Sequence, residues 1–252
     1  MSDTNSPASS YTTVASVGDD LSEGIENNDV RPTLIFIPEL LNIDDKDEEL
    51  ENCIKELKRR MSILGSVTGS NEALHHEYAS LILYSAIYIA RKLTKKEITV
   101  DPQFKVLGEG EEAVVQVSYT IKKAIDTGNK FIMFMAGGKQ EDFEKEIVQN
   151  VMQPDNSCEN KGKRKATVAF DEFDYLYGIV TTASDWRFLM YSKERVYCSK
   201  SDHHIELSEN ILDDDTRLRQ GVKKVIEMIV SLIKDRVEVD DPNNKKTRIN
   251  IL

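Results

Sequence analysis

Residues 110–153 constrain the fold most, because they combine two strand patterns with one helix pattern. Residues 114–121 alternate apolar and polar side chains, which is typical of a strand with two different faces. Residues 131–136 are apolar on both faces and predict a central strand. After Gly137-Gly138-Lys139, the spacing of apolar residues predicts a helix over 140–152. A strand buried on both faces needs further elements packed against it, so we expect a layered protein.

The remaining patterns complete an α/β (α+β) fold with a central mixed β-sheet flanked by helices. Helices are predicted over 44–64, 71–93 and 213–237. Strands are predicted over 98–107, 175–182, 186–192 and 195–200, with turns over 122–129 and 183–185, a loop over 154–165 and a short strand or extended arm within 33–41. The lone tryptophan, Trp186, is expected in the core.

Composition divides the chain into four parts. Residues 1–31 are polar and carry six acidic side chains against Arg31, so we expect a disordered acidic tail. An arm and an amphipathic helix follow over 32–69, then the main domain over 70–237 and a charged tail over 238–252. The net charge of -11 repels phosphate backbones at long range, so we expect weak nucleic-acid binding at most unless a local basic patch offsets it.

Cysteine usage and hydropathy predict a protein of the nucleus or cytoplasm. Cys53, Cys158 and Cys198 lie far apart without metal-binding spacing, which is typical of reduced thiols. No window is apolar enough for a membrane helix, and the polar N-terminus lacks the pattern of a secretory signal, so no membrane partner is expected.

Glu77 is the carboxylate that helical geometry singles out. Leu74 and Leu81 share its face of the predicted helix over 71–93, so we expect the carboxylate to point inward. A buried carboxylate needs a partner, because an unpaired buried charge is costly. An ion pair and a role in a site both satisfy that need, and the pattern leaves the choice open.

Other polar motifs carry less information. The basic cluster at 161–165 is interpreted as a nuclear localisation signal, a phosphate contact or a solvated loop. The pairs His75-His76 and His203-His204 are expected at the surface. Neither GxxxxGK[ST] nor GxGxxG occurs, so no nucleotide triphosphate is expected, and no serine or cysteine hydrolase motif is present.

The order of elements and several short sequence motifs resemble those of the PD-(D/E)XK nuclease-like superfamily, and within it those of the crinkler-type and uncharacterised proteins of arbuscular mycorrhizal fungi. The resemblance covers roughly residues 70–237 and implies a restriction-endonuclease-like core. The motifs on which the resemblance is based are Asn71-Glu72-Ala73 with Glu77-Tyr78, residues 117–123, Gly138-Lys139-Gln140, residues 149–153, residues 163–166, residues 175–182 and Asp185-Trp186.

The resemblance implies a site in which a helix glutamate, a strand aspartate and a Glu-x-Lys strand end hold Mg²⁺ and activate water. Glu77 matches the helix glutamate and Lys139 matches the lysine, which would stabilise charge on the phosphate. Gln149 matches a glutamine on the following helix. Two acidic positions are absent, because Ser118 stands where the family has the aspartate and Gly137 where it has the glutamate.

These departures favour a degenerate, non-catalytic nuclease-like protein that acts as an intracellular binding or regulatory module without a cofactor. Glu77 alone is expected to bind a metal weakly, if at all. The first alternative is an active Mg²⁺-dependent DNA endonuclease that uses Glu77, Lys139 and one relocated acid from residues 141–146. The second alternative is a protein-interaction scaffold in which the helix over 44–64 docks an unknown protein partner.

Overall fold

Three helices pack on a nine-stranded sheet in the part of the chain that the structure describes. The helices are α1 (Glu48–Leu64), α2 (Glu72–Thr94) and α3 (Thr216–Val239), with a single 3-10 turn at Glu209–Leu212. The strands are β1 (Leu34–Ile37), β2 (Ile98–Leu107), β3 (Val114–Ile125), β4 (Gly128–Gly137), β5 (Tyr175–Thr181), β6 (Asp185–Ser192), β7 (Val196–Ser199), β8 (His203–His204) and β9 (Asn250–Ile251). This computed structural model describes residues 34–67, 72–107, 114–125, 128–137, 175–192, 196–239 and 250–251.

The sheet is mixed, and its strand order is β2-β3-β4-β5-β6-β7-β1-β9 with β8 attached to β6. Strands β2, β3 and β4 form an antiparallel meander, whereas β4 and β5 run parallel. Strands β5, β6 and β7 are again antiparallel, and β1 joins β7 in parallel. The predicted α/β class with a mixed sheet flanked by helices is therefore confirmed, while a restriction-endonuclease-like core stays a prediction.

The predicted strand over 98–107 agrees with β2, but the predicted connection over 122–129 is wrong. Strand β3 continues to Ile125 and β4 begins at Gly128, because Lys122 pairs with Phe131 and Ile125 with Gly128. A register shift between Ile121 and Lys122 interrupts the simple alternation that sequence reasoning requires. Helix α1 likewise begins at Glu48 rather than residue 44, since the side chain of Asp47 accepts hydrogen bonds from the backbone amides of Glu49 and Leu50.

The helices bury one face of the sheet in a single apolar core. The apolar stripe that the sequence predicts on α3 is fully buried, and it consists of Leu218, Val222, Val225, Ile226, Ile229 and Ile233. The corresponding stripe of α1 is also buried, except that Leu64 at its end is exposed. Trp186 lies in the core as predicted, and its indole N–H donates to the carbonyl of Ala183 at 2.7 Å. The core includes Leu50, Ile54, Leu57, Ile82, Leu83, Ile121, Met133, Met135, Ile179, Phe188, Leu218, Val222, Ile226 and Ile229.

The opposite face of the sheet is also buried over its centre. Thr120, predicted to face away from the core, does so but is only 2% exposed, and Leu189 and Tyr191 are fully buried. Gly178 lies between two aromatic rings. A β-carbon at residue 178 would be 2.7 Å from the Phe134 ring and 2.9 Å from the Tyr191 ring. The centre of the sheet is therefore enclosed on both sides.

The segment before α1 is an ordered arm, as one reading of 33–41 predicts. Strand β1 joins the sheet, and the chain then crosses α3, where the backbone amide of Leu41 donates to Ser231 and that of Ile43 to Glu227. Helix α1 is fixed to α3 by ion pairs, including Lys58 with Asp215 at 3.0 Å. None of the described helices combines the length and apolarity that a membrane crossing requires.

The C-terminal end of α3 holds a cluster of buried polar groups. The carboxylate of Asp235 accepts hydrogen bonds from the hydroxyls of Tyr175, at 2.5 Å, and Tyr177, at 3.0 Å. Burial, then the Asp235 carboxylate, raises the pKa of both phenols far above the ordinary value. The guanidinium of Arg236 lies 4.8 Å above the Tyr175 ring, and the ammonium of Lys123 donates to the Val237 carbonyl at 3.0 Å. These contacts tie α3 to β5 and β3.

Several predictions fall on residues that the structure does not describe. They are the tail over 1–31, the helix over 140–152, the loop over 154–165 with its basic cluster, and Cys158. Of the two described cysteines, Cys53 is buried and Cys198 is partly exposed, and neither forms a disulfide bond. Burial raises the pKa of the Cys53 thiol to about 12, so this thiol is protonated at neutral pH.

Candidate functional site

The candidate site lies where β3 and β4 separate. Their paired register starts at Tyr119 with Met135, so within the described residues the ladder does not extend to Ser118 and Gly137. On its other side Gly137 stays paired with Thr181 of β5. At its C-terminal end, β4 is therefore paired with β5 but no longer paired with β3.

A side chain replaces the missing backbone bond at this point. The amide N–H of Gly137 donates to the hydroxyl oxygen of Ser118 at 3.2 Å. The two positions at which the resemblance requires acidic side chains are thus in direct contact. A backbone amide that would otherwise be left without an acceptor is satisfied by the serine hydroxyl.

The imidazole of His76 occupies the space beside Gly137. A β-carbon at residue 137 would lie 3.2 Å from Cε1 and 3.3 Å from Nε2 of His76, and 3.7 Å from the Ser118 hydroxyl. The two distances to His76 are shorter than ordinary van der Waals contact, whereas the distance to Ser118 is not, so a larger side chain at 137 requires His76 to move. His76 also faces Glu72, one turn back on α2, at 3.5 Å.

The prediction that Glu77 points inward is wrong. Its side chain is 58% exposed, and its carboxylate accepts a hydrogen bond from Nη1 of Arg60 in α1 at 2.9 Å. The same guanidinium donates to the Glu77 carbonyl at 3.0 Å and to Glu56 at 2.9 Å. Glu77 therefore links α2 to α1, which is the ion-pair reading left open by the sequence.

The error has a geometric cause. Leu74 and Leu81, the apolar neighbours on the face of Glu77, are themselves only partly buried. Consecutive helical residues point about 100° apart, so His76 faces the strand junction, Tyr78 the core and Glu77 neither of them. Sequence spacing identified the boundary of the buried face but placed Glu77 on the wrong side of it.

Most of the other residues that the sequence singles out for the site lie outside the described part of the chain, whereas Asp185 lies within it. Lys139 and Gln149 lie outside the described residues, as do the acids at 141–146 that were considered as relocated ligands. Asp185 lies at the same edge of the sheet, beside Trp186, which is paired with Thr181. Two strand spacings separate it from Gly137, or about 10 Å. Its carboxylate contacts the His204 imidazole at 2.8 Å.

Aromatic side chains continue from this junction along α2. The ring of Tyr119 lies 6.2 Å from His76 and 6.0 Å from Tyr84, in edge-to-face orientations. Partial burial, then the neighbouring Tyr119 and the Glu77 carboxylate, raises the pKa of Tyr84, so its hydroxyl is protonated at neutral pH. Tyr88 follows one turn later, and the Lys92 ammonium lies 5.9 Å from the centre of its ring.

The described groups at the junction differ from the usual ligands of Mg²⁺. The junction offers a neutral hydroxyl, a backbone amide and an imidazole, whereas Mg²⁺ prefers several carboxylate or carbonyl oxygens. Among the described residues, no three histidine, cysteine, aspartate or glutamate side chains converge in a way that would hold a metal ion. Glu77, the one acid carried over from the resemblance within this part of the chain, is committed to Arg60.

Sequence reasoning missed two features of this surface. His76 was expected to be a surface histidine, yet it contacts Gly137 and Tyr119. A second basic group, in addition to the cluster at 161–165, lies at the C-terminal end of α2: Arg91, Lys92, Lys95 and Lys96 are all exposed. Tyr84 and Tyr88, which precede this basic group, are four residues apart and share one helix face, which was the signal available from the sequence.

Comparison with known proteins identifies no relative, since no family model matches the chain and neither a curated protein nor a solved structure is detectably similar to it.

Proposed function

We propose that this chain is a non-catalytic, nuclease-like binding module. One observation carries the proposal: His76 fills the space beside Gly137, at the position where a PD-(D/E)XK enzyme needs a carboxylate. Ser118, at the other acidic position, uses its hydroxyl oxygen to accept the Gly137 amide. Both positions thus serve the packing of β3, β4 and α2 instead of presenting anionic oxygens to a cation.

The order of elements supports the nuclease-like part of the proposal. Helix α2 is followed by the antiparallel strands β2, β3 and β4, and then by β5 parallel to β4. The order on which the resemblance rests also has a helix over 140–152 between these two strands, and that helix lies outside the described residues. The order of the described elements places Glu77, Ser118 and Gly137 on neighbouring elements, although Glu77 then turns toward α1.

The binding role follows from what the same surface offers. A partly exposed imidazole, tyrosine rings and nearby cations suit contacts with nucleic acid more than hydrolysis of it. We place such a module in the nucleus or cytoplasm, acting on nucleic acid or on a protein partner. The scaffold alternative has little exposed apolar surface on α1 for docking a partner. The apolar stripe of this helix is largely buried in the core, and only Ile63 and Leu64 at its end are large exposed hydrophobic residues.

A cleavage assay tests the proposal. Supercoiled plasmid and single-stranded DNA are incubated with the purified full-length chain and Mg²⁺ or Mn²⁺, in parallel with Glu77→Gln and Lys139→Ala. A variant that carries both substitutions is the background control. We expect the natural chain to cut no more DNA than this variant does at any metal concentration. Cutting by the natural sequence that both single substitutions reduce by tenfold or more would establish the active Mg²⁺-dependent nuclease instead.

A further inference from the structure

We propose that the exposed face of α2 binds single-stranded nucleic acid. This surface, here called the aromatic strip, consists of Tyr84, Tyr88 and Lys92, and Tyr119 of β3 contacts Tyr84 at one end of it. The proposal deepens the binding role proposed above, on which it rests, by assigning it a surface and a class of ligand.

The rings of the aromatic strip are accessible. Tyr84 is 48% and Tyr88 52% exposed, although the residues beside them on α2, Leu83, Ser85 and Ile87, are buried. Four residues of helix separate the two tyrosines, so they lie on one face about 6 Å apart along the axis. Large exposed aromatic side chains in sequence on one face form a platform on which successive bases can stack.

Charge supports an anionic ligand. Arg91, Lys92, Lys95 and Lys96 at the end of the strip stand against Glu97, a local excess of cations in a chain of net charge -11. Two cations in the last turn would satisfy the helix dipole, but Lys95 and Lys96 lie beyond the end of α2 and are not needed for it.

Glu77, which lies seven residues before Tyr84 on the same helix face, does not cancel this charge, because its carboxylate is paired with Arg60. Local pairing therefore leaves the basic end of α2 as the part of this face that attracts phosphate, even though the whole chain repels it at long range.

The chemistry of the face distinguishes nucleic acid from an acidic peptide. Single-stranded nucleic acid offers a base for each exposed ring and a phosphate for each cation, whereas an acidic peptide offers carboxylates to the cations but no succession of planar groups for the rings. Tyr84 contacts Tyr119, which contacts His76, so the row leads from the basic end of α2 to the Ser118–Gly137 junction. A strand that enters at Lys96 would stack on Tyr88 and Tyr84 and reach the junction last.

Fluorescence anisotropy with a 5′-labelled 12-nucleotide oligothymidylate tests this assignment, using the full-length chain at 25 mM salt and no divalent metal. A uridine oligomer of the same length and a duplex serve as comparison ligands. We expect saturable binding of both single strands and weaker binding of the duplex. Tyr84→Ala or Tyr88→Ala should raise Kd by about fivefold or more each, whereas the Phe variants should bind nearly as the natural chain does.

Salt dependence measures the phosphate contacts. Three or four cations predict a slope of log Kd against log salt of about 2 to 3, and Lys92→Gln and Lys96→Gln should each lower it by about 0.7. Lys224→Gln, an exposed lysine of α3 away from the strip, is the matched control and should change neither Kd nor slope. Circular dichroism of each variant confirms that it is folded.

Three results would overturn the assignment. They are the absence of binding at 25 mM salt, equal affinity for the duplex with Tyr84→Ala and Tyr88→Ala unaffected, and equally strong competition by a polyglutamate peptide, which would indicate an acidic protein partner. Cleavage of the bound oligonucleotide after addition of Mg²⁺ would contradict the non-catalytic role but not the binding surface, so the two proposals fail separately.

Discussion

His76 and Glu77 are consecutive residues of α2, and a rotation of about 100° gives them different environments. The first packs over Gly137, where a side chain at residue 137 would otherwise lie, and the second reaches Arg60 across to α1. Sequence spacing could show that this stretch is the edge of a buried face. It could not show which residue lies on which side, because that depends on how α1 and β4 are placed against α2.

The ion pairs around Arg60 predict an acid-dependent loss of stability. Arg59 first, then Arg60, lowers the pKa of Glu56 from its ordinary value of 4.5 to about 2. A carboxylate with a lowered pKa stabilises the fold above pH 4.5 and loses that contribution as the pH falls toward 2. The urea midpoint of the natural chain should therefore exceed that of Glu56→Gln at pH 6, and the difference should shrink by pH 2.5.

The effect is expected to be small, because Glu56 lies at the surface, where ion pairs contribute little. Glu56→Gln made in an Arg59→Gln background is the control and should show a weaker pH dependence. A difference in midpoint that stays constant from pH 6 to pH 2.5 would contradict the assignment of the lowered pKa to these arginines.

At the scale of elements, local patterns were sufficient for some strands and helices. Strand β2 and the ends of α2 follow from the sequence within one residue. Strand β8, which is only His203–His204, has no periodicity that could be read, and the pairing of β1 with β7 joins residues about 160 positions apart. Such pairings depend on the assembled sheet rather than on neighbouring residues.

Added volume at Gly178 would meet closer neighbours than at Gly137, the other sheet glycine whose surroundings the structure describes. Gly178→Ala would place a β-carbon within 3 Å of the Phe134 and Tyr191 rings, both held in the sheet. We expect it to lower the free energy of unfolding by about 1–3 kcal/mol, as measured by urea denaturation. Gly137→Ala is the matched control and should cost less, because its contact is the partly exposed His76 side chain, which can rotate. Equal losses in the two variants would contradict this description of the sheet.

The attachment of α3 to β5 gives a second prediction at this scale. Asp235→Ala removes the acceptor of two buried phenol hydroxyls, so we expect a loss of about 1–3 kcal/mol in the free energy of unfolding. Glu238→Ala, in the same helical turn, breaks only the partly exposed pair with Lys234 and should cost less than about 0.5 kcal/mol. Thermal and urea denaturation of both variants measure the difference, and similar losses would mean that the Asp235 contacts contribute little.

At the scale of the whole molecule, the mixed sheet and α2 bring Ser118, Gly137 and His76 together. The α/β class was predictable from alternation and helix periodicity. The state of the site was predictable only in part: Ser118 and Gly137 were identified from the sequence, while the packing of His76 and the pairing of Glu77 required the assembled helices. Function at this scale depends on whether any cation binds at the end of β4.

Isothermal titration of the full-length chain with Mg²⁺ and Mn²⁺ at low salt tests that point most directly. Because Ser118 and Gly137 supply no carboxylate and Glu77 is paired with Arg60, we expect no saturable heat at micromolar metal, and Glu77→Gln should give the same trace as the natural chain. Binding of one ion per chain with micromolar Kd, abolished by Glu77→Gln, would contradict this expectation.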